Sequence, residues 1–318
     1  MTWMPFVCLI IGLFFGMRDL PAKIIKIIDS VINVALVVLM LTIGFHIGTD
    51  DSVMSNIPSI GFHCVVISLS AIAFSVGFTV LTEKTLLPLE ELRERLFSEN
   101  INLNQEVDLG EEEKKKTSSL IWIMPVSILA GVLFGYYLLP DHFKSALGYL
   151  LTGSLIVLYI SVGISLGANR KVFRYLKILG LKVVYLSIAI FAGSVAGGLF
   201  SGLVLGLPFH ISVISASGMS YYSITGAYMT QVYGIEAGTY GFIVNVMREF
   251  FTVLLLPFLI KISKGSPIAS GAAGNMDTML VPVTKFVGIE LGLVTLITGT
   301  ILTFLVPFIL PLFYRLFS

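Results

Sequence analysis

The chain has 318 residues, of which 56% are apolar and only 12% charged, with a net charge of +1 and a mean hydropathy of +0.95. A water-soluble domain of this length has no interior large enough to hide so much apolar surface, and the unbroken apolar runs exclude the alternating pattern of a membrane β-barrel. There is no basic patch with interleaved aromatics, so nucleic acid is not an expected partner, and the two cysteines define neither a disulfide framework nor a metal-ligand spacing.

Apolar stretches of about 20 residues, the length that crosses the hydrocarbon layer as a helix, recur along the chain. They predict spans near 3–17, 27–48, 59–82, 119–139, 146–167, 176–206, 236–260 and 287–314. The N-terminus has no basic stretch before its apolar run and is read as a first span. Residues 88–118 are a charged linker; LPLEELRERLF at 87–97 has the pattern of an amphipathic helix lying at the interface, and EEEKKK at 111–116 that of a solvated run. Two further segments, 207–233 and 265–285, are rich in Gly, Ser, Thr and Pro. Irregular backbone at membrane depth is tolerated only inside protein or along a watery cavity, so both are predicted to be re-entrant hairpins.

Lysine and arginine concentrate in cytoplasmic loops. Arg18, Lys23 and Lys26, the cluster from Lys84 to Lys116, the cluster from Arg170 to Lys182, and Lys261, Lys264 and Lys285 all fall on one side if both termini lie outside; Lys144 and Arg315 fall on the other. The predicted arrangement is therefore an all-α polytopic membrane protein with eight transmembrane helices and two re-entrant hairpins, N-out and C-out.

The chain also repeats itself. A shift of 119 places MPFVCLIIGLFFG (4–16) on MPVSILAGVLFG (124–135), with one extra residue in the first copy, and LMLTIGFHIGTDD (39–51) on LYISVGISLGANR (158–170), with Gly44 and Gly48 landing on Gly163 and Gly167. A shift of 54 places GIEAG (234–238) on GIELG (288–292). The first unit holds three spans and the second a hairpin plus a span, so each copy begins on the side opposite its partner. Nested inverted repeats of this kind mark secondary transporters. They divide the chain into an expected scaffold at 1–206 (repeats 1–87 and 119–206, joined by the linker 88–118) and a transport core at 207–318 (repeats 207–262 and 263–318).

A charged side chain kept at membrane depth is a functional candidate by default, because its burial costs about 3 kcal/mol even on the lenient insertion scale. Asp277 lies in the second hairpin, near Asn275 and Pro282, and the 54 shift places Ser223 of the first hairpin opposite it. Arg248 and Glu249 lie midway along the seventh span, about 100° apart around the helix, with Asn245 one turn before Glu249. An ion pair tying that span to its neighbours weighs equally with a contact to substrate. Asp50 and Asp51 end the second span, where an exposed turn competes with a functional role. Ser220, Tyr222 and Ser223 offer hydroxyls and a ring suited to a small polar solute, and hairpin helix N-termini suit a carboxylate. Glu236 and Glu290 suit the starts of helices.

SGMSYYSITG (217–226), NVMREF (245–250) and GAAGNMDTMLVPV (271–283) together resemble the LysO-type lysine exporters of bacteria, in the same order of elements over most of the chain. The resemblance implies an inner-membrane, multi-pass exporter of L-lysine and its analogue thialysine, N-out and C-out, with two essential intramembrane acids. One maps onto Asp277 and the other onto Asp50 or Asp51. Proton-coupled antiport is the expected mechanism, with Na⁺ as the alternative coupling ion, and no cofactor, metal or enzymatic activity is expected. Small-xxx-small pairs such as Gly193 with Gly197 admit a homodimer. The competing functions are an antiporter or uptake carrier for another small amino acid or cation, and a receptor or structural membrane protein.

Overall fold

The computed structural model describes residues 4–18, 21–98, 126–137, 144–168 and 179–317, and these are helical apart from short turns. In chain order the helices are α1 (Met4–Gly16), α2 (Ala22–Gly48), α3 (Asp51–Thr85), α4 (Leu89–Ser98), α5 (Val126–Tyr137), α6 (Lys144–Ala168), α7 (Val183–Leu205), α8 (Phe209–Ala216), α9 (Tyr222–Tyr233), α10 (Ile235–Ile262), α11 (Gly265–Gly271), α12 (Leu280–Val287) and α13 (Gly292–Phe317). A 3₁₀ turn at Ala272–Met276 links α11 to α12, and another at Ile289–Leu291 precedes α13. The predicted amphipathic segment forms α4; residues 99–118 lie outside the described chain.

Six of these helices (α2, α3, α6, α7, α10 and α13) are long and apolar enough to cross a membrane. The chain is a multi-pass membrane protein. Among the described residues α1 and α5 are shorter than full spans, with 13 residues in α1. Positions 119–125 and 138–139 of the predicted fourth span, and position 3 of the predicted first, lie outside the described residues.

Both short helices are held by glycine. A Cβ on Gly12 would run into the backbone of Ile160 and Gly163 in α6, and one on Gly131 of α5 into that of Leu41 and Gly44 in α2. Gly16 meets Ile164, and Gly135 meets Phe45. Adding 119 to 12 and 16 gives 131 and 135; subtracting it from 163 gives 44. The α1–α6 and α5–α2 contacts thus use corresponding positions. Lipid tails provide no hydrophobic drive between helices, so this backbone-to-backbone approach is where association energy is gained.

The α3–α7 pair is built by the same device. A Cβ on Gly193 would strike the backbone of Ser75, and one on Gly197 that of Ser70 and Ala71. Ser75 Oγ lies 3.0 Å from Ser194 Oγ, again across 119 positions. Helices α3 and α7 lie against α8, α10, α11 and α13, whereas α1, α2 and α6 form a separate group. The reason is chemical: small and hydroxyl residues on α3 and α7 admit and bond the later elements.

The two irregular segments fold back as hairpins. Gly206, in the left-handed conformation (φ 66°), ends α7 and Pro208 starts α8, which reverses the chain at once. The ring of His210 near the start of the first hairpin stacks on Tyr233 at its end, with centroids 4.7 Å apart. The second hairpin begins where the Glu83 carboxylate accepts from Ser263 Oγ (3.1 Å), and it ends near Glu290, 3.5 Å from Arg93 of α4. Glu83 and Arg93 flank the same turn, so both ends of this hairpin return to one face. Tyr233 packs on Tyr314 at the far end of α13, which puts the base of the first hairpin on the other face.

Candidate functional site

The tips of the hairpins meet in the interior. The Ala273 N–H donates to the Met219 carbonyl at 2.9 Å, joining positions 54 apart in sequence. Met219 (φ 50°), Ser220 (φ 76°) and Ala272 (φ 49°) all adopt left-handed backbone here, at a cost of about 1–3 kcal/mol each. Such strain persists only where the surroundings over-determine it. Asn245 does this for the first tip: its Oδ1 accepts from the Ser220 N–H (2.7 Å), and its Nδ2 donates to the carbonyls of Ser215 (2.9 Å) and Gly241 (2.8 Å). Asn275 Nδ2 donates to the Ile268 carbonyl (2.7 Å) and holds the second. Gly299 lets α13 lie directly against that tip, where a Cβ would overlap the backbone of Met276 and Asn275.

Beside the crossing is a cavity of about 160 Å³. Ser220, Tyr221, Tyr222 and Ser223 line it from the first hairpin, and Ala273, Gly274, Met276, Asp277 and Thr278 from the second. Glu249 enters from α10, Thr303 and Phe304 from α13, and Ile32, Leu36 and Val162 from α2 and α6. The space therefore lies between the α1/α2/α6 group and the rest of the molecule. It has room for several waters or a small solute.

Two carboxylates share this cavity, one on each side of Thr278. The Thr278 hydroxyl donates to Glu249 Oε1 at 2.9 Å, and its backbone N–H donates to Asp277. Asp277 keeps accessible surface on the cavity, and Glu249 is partly accessible. No basic side chain lies within ion-pair distance of either among the described residues, where the ion pairs are those of Arg93. Helix α9 starts without a side-chain cap, and its first residues, Tyr222 and Ser223, line the same cavity. The Ser220 hydroxyl is buried and has no hydrogen-bond partner among the described residues. The cavity thus joins two carboxylates to hydroxyl groups and the start of a helix, matching a solute that carries both an ammonium and a carboxylate.

Of the residues predicted from sequence, Asp277, Glu249, Ser220, Tyr222 and Ser223 come together here, and Ser223 and Asp277, equivalent under the 54 shift, share the cavity. Asn245 and Asn275 hold the backbone instead. Arg248 points away from the cavity, into the α3–α7 seam. Asp50 and Asp51 do not line the cavity. Asp50 caps α3, its carboxylate accepting from the N–H groups of Ser52 (3.0 Å) and Val53 (3.1 Å), and Asp51 is exposed in the first turn. The acid that shares the cavity with Asp277 is Glu249, and the Asp50 carboxylate is engaged at a helix start. Thr278 and Thr303 were missed from sequence; the position of Thr278 beside an intramembrane aspartate was the available signal.

Two interrupted segments whose tips meet beside an acid-lined cavity, within a bundle of long apolar helices, define the class, a multi-pass membrane protein with a polar internal cavity. The chain matches the family model described as lysine exporter LysO over residues 6–93 and 126–314, and it belongs to that family. It is 24% identical over 305 residues to the lysine exporter LysO of Escherichia coli K12, covering 96% of each chain. A Haemophilus influenzae Rd protein, whose name assigns it provisionally to lysine export, is 26% identical over 190 residues, covering 59% of this chain and 94% of its own. No solved structure matches the chain significantly.

Proposed function

We propose that this protein exports L-lysine across the bacterial inner membrane in exchange for an external proton, using Asp277 and Glu249 as the shared site for both cations. The observation that carries this reading is the pairing of two carboxylates around Thr278 in a cavity without a basic partner, at the crossing of two strained hairpins. The relatives' assignment to lysine export suggests lysine as the substrate. Its carboxylate is received by the N-terminus of α9 and the Ser220 hydroxyl, and its side-chain ammonium by the acids. Two negative charges in one low-dielectric space raise each other's energy, and a single cation relieves both. Lysine and a proton therefore compete for one place. The inside-negative potential opposes outward movement of a cation by about 2.3 kcal/mol per 100 mV, and an entering proton cancels that term.

In this reading α1, α2, α5 and α6 form the fixed panel, and α3, α7, the hairpins, α10 and α13 move against it. The chain has both termini outside, eight crossings and inverted repeats; the contacts of corresponding glycines and the opposite bases of the hairpins favour that arrangement. Labelled lysine should leave proteoliposomes faster as the external pH falls. Asp277→Asn and Glu249→Gln should each abolish the flux while the protein inserts and elutes normally. Undiminished lysine efflux from both variants would remove the acid pair from the mechanism, and efflux that follows a sodium gradient but ignores pH would replace the coupling ion.

A further inference from the structure

Among the described residues Arg248 is the largest fully buried side chain, 1% exposed, and it is not paired with an acid. Its Nη1 donates to Ser194 Oγ (2.8 Å), its Nη2 to Ser75 Oγ (3.2 Å) and the Ala269 carbonyl (3.0 Å), and its Nε to the Ser270 carbonyl (3.1 Å). Neutral groups satisfy four of its five donors. Ser75 and Ser194 are the corresponding residues of the two 119-residue copies, so one cation is gripped at the seam between them. A guanidinium does not lose its proton under these conditions, so its charge is permanent. A salt bridge that would have cancelled it, one of the two alternatives for this residue, is absent among the described residues, although Glu249 is the next residue in the chain.

We infer that Arg248 is a fixed counter-charge that sets the transportable load at one positive charge. The inference rests on the transport reading above and adds a rule of charge to it. The charged and titratable groups around the cavity are few. Glu249 enters the cavity from α10, with Arg248 next to it in the chain but turned into the α3–α7 seam; Asp277 comes from the second hairpin, and Tyr221 and Tyr222 from the first; α2, α6 and α13 contribute apolar and hydroxyl groups. With both acids ionised and the tyrosines neutral, the empty core carries a net −1. One lysine or one proton brings it to zero. Loading neither leaves −1, and loading both gives +1. Net charge in hydrocarbon is expensive, so only the singly loaded forms cross. Exchange is then one lysine for one proton, with no return of the empty carrier, and neither half of the cycle moves net charge. An Arg–acid ion pair would have removed one carboxylate from service. Bonding the guanidinium to carbonyls and hydroxyls keeps its charge in the sum while leaving both acids free for the load.

The test is labelled-lysine counterflow in proteoliposomes, with lysine equal on both sides and the potential set by potassium and valinomycin. Wild-type counterflow should change by less than about twofold between 0 and −100 mV, whereas one uncompensated charge crossing the whole field corresponds to about 50-fold. Arg248→Lys keeps the charge without the forked geometry, and its counterflow should stay indifferent to voltage even if slower. Arg248→Gln leaves the lysine-loaded core at −1, and its residual counterflow should become voltage-dependent. Strong voltage dependence of the wild-type protein overturns the inference, and that measurement stands if Arg248→Gln fails to fold. So does an Arg248→Gln protein that is slower but as indifferent to voltage as wild type, because that is the behaviour of a purely structural residue. Absence of any lysine counterflow in the wild type is a different result, which removes the transport reading itself.

Discussion

Helix α6 carries its own control for the glycine packing. At Gly163 an added Cβ would lie 2.5 Å from the Leu9 carbonyl oxygen, 3.0 Å from Gly12 Cα and 3.0 Å from the Leu13 nitrogen. At Gly153, on the same helix, nothing lies within 4 Å. Carbon atoms pack best at about 3.5–4.0 Å, so Gly163→Ala forces α1 and α6 apart by about 1 Å along their closest contact. Overpacking of this kind costs about 1–3 kcal/mol, against which alanine returns about 0.5–1 kcal/mol of helix preference. Gly163→Ala should therefore destabilise the protein by up to about 2 kcal/mol, while Gly153→Ala should stabilise it by about 0.5–1 kcal/mol. The two melting temperatures in detergent should move in opposite directions. Gly44→Ala, whose Cβ would crowd Ile128 and Gly131 of α5, should behave like Gly163→Ala. A Gly163→Ala protein as stable as Gly153→Ala would refute the close approach of α1 to α6 and the packing built on it.

Asp50→Ala should cost about 1 kcal/mol through loss of the α3 cap and leave lysine flux per folded molecule unchanged, as measured by a melt and a transport assay together; a dead transporter of normal stability would return Asp50 to the site. Asn245→Ala strips the Ser220 N–H of its acceptor and should cost about 1–3 kcal/mol together with most of the flux, checked in the same two assays. Thr278→Val removes the hydroxyl held by Glu249 but preserves shape, so it should change the proton dependence of lysine efflux more than it changes stability. If Thr278→Val shows an unaltered pH profile, the two acids do not act as a unit.

Much of the architecture was legible because it is local. A run of apolar residues reads as a membrane helix whatever surrounds it, and Gly206, Pro208 and the Ser/Gly-rich stretches mark reversals through backbone preference alone. The hairpin acid Asp277 stood out for the same reason, as a charge among small residues at membrane depth. Asp50 and Glu249 were different. Both places were candidates from sequence, Glu249 midway along a span and Asp50 or Asp51 at the end of one, and only the resemblance to the exporters singled out the second. The bonds that separate them are an ordinary helix cap in one case and a threonine 29 positions away in the other.

The sequence by itself determined that this is a helical membrane protein with two interrupted segments and an internal echo at 119 residues, since hydropathy, helix length and glycine content are properties of short stretches. Only the tertiary structure decided which acids share a cavity, that α3 and α7 pack with the later elements, and that Arg248 binds serines and carbonyls rather than its neighbour Glu249. Those outcomes depend on two hairpin tips crossing and on helices from distant copies meeting backbone to backbone. Contacts made at that range leave no periodic trace along the chain.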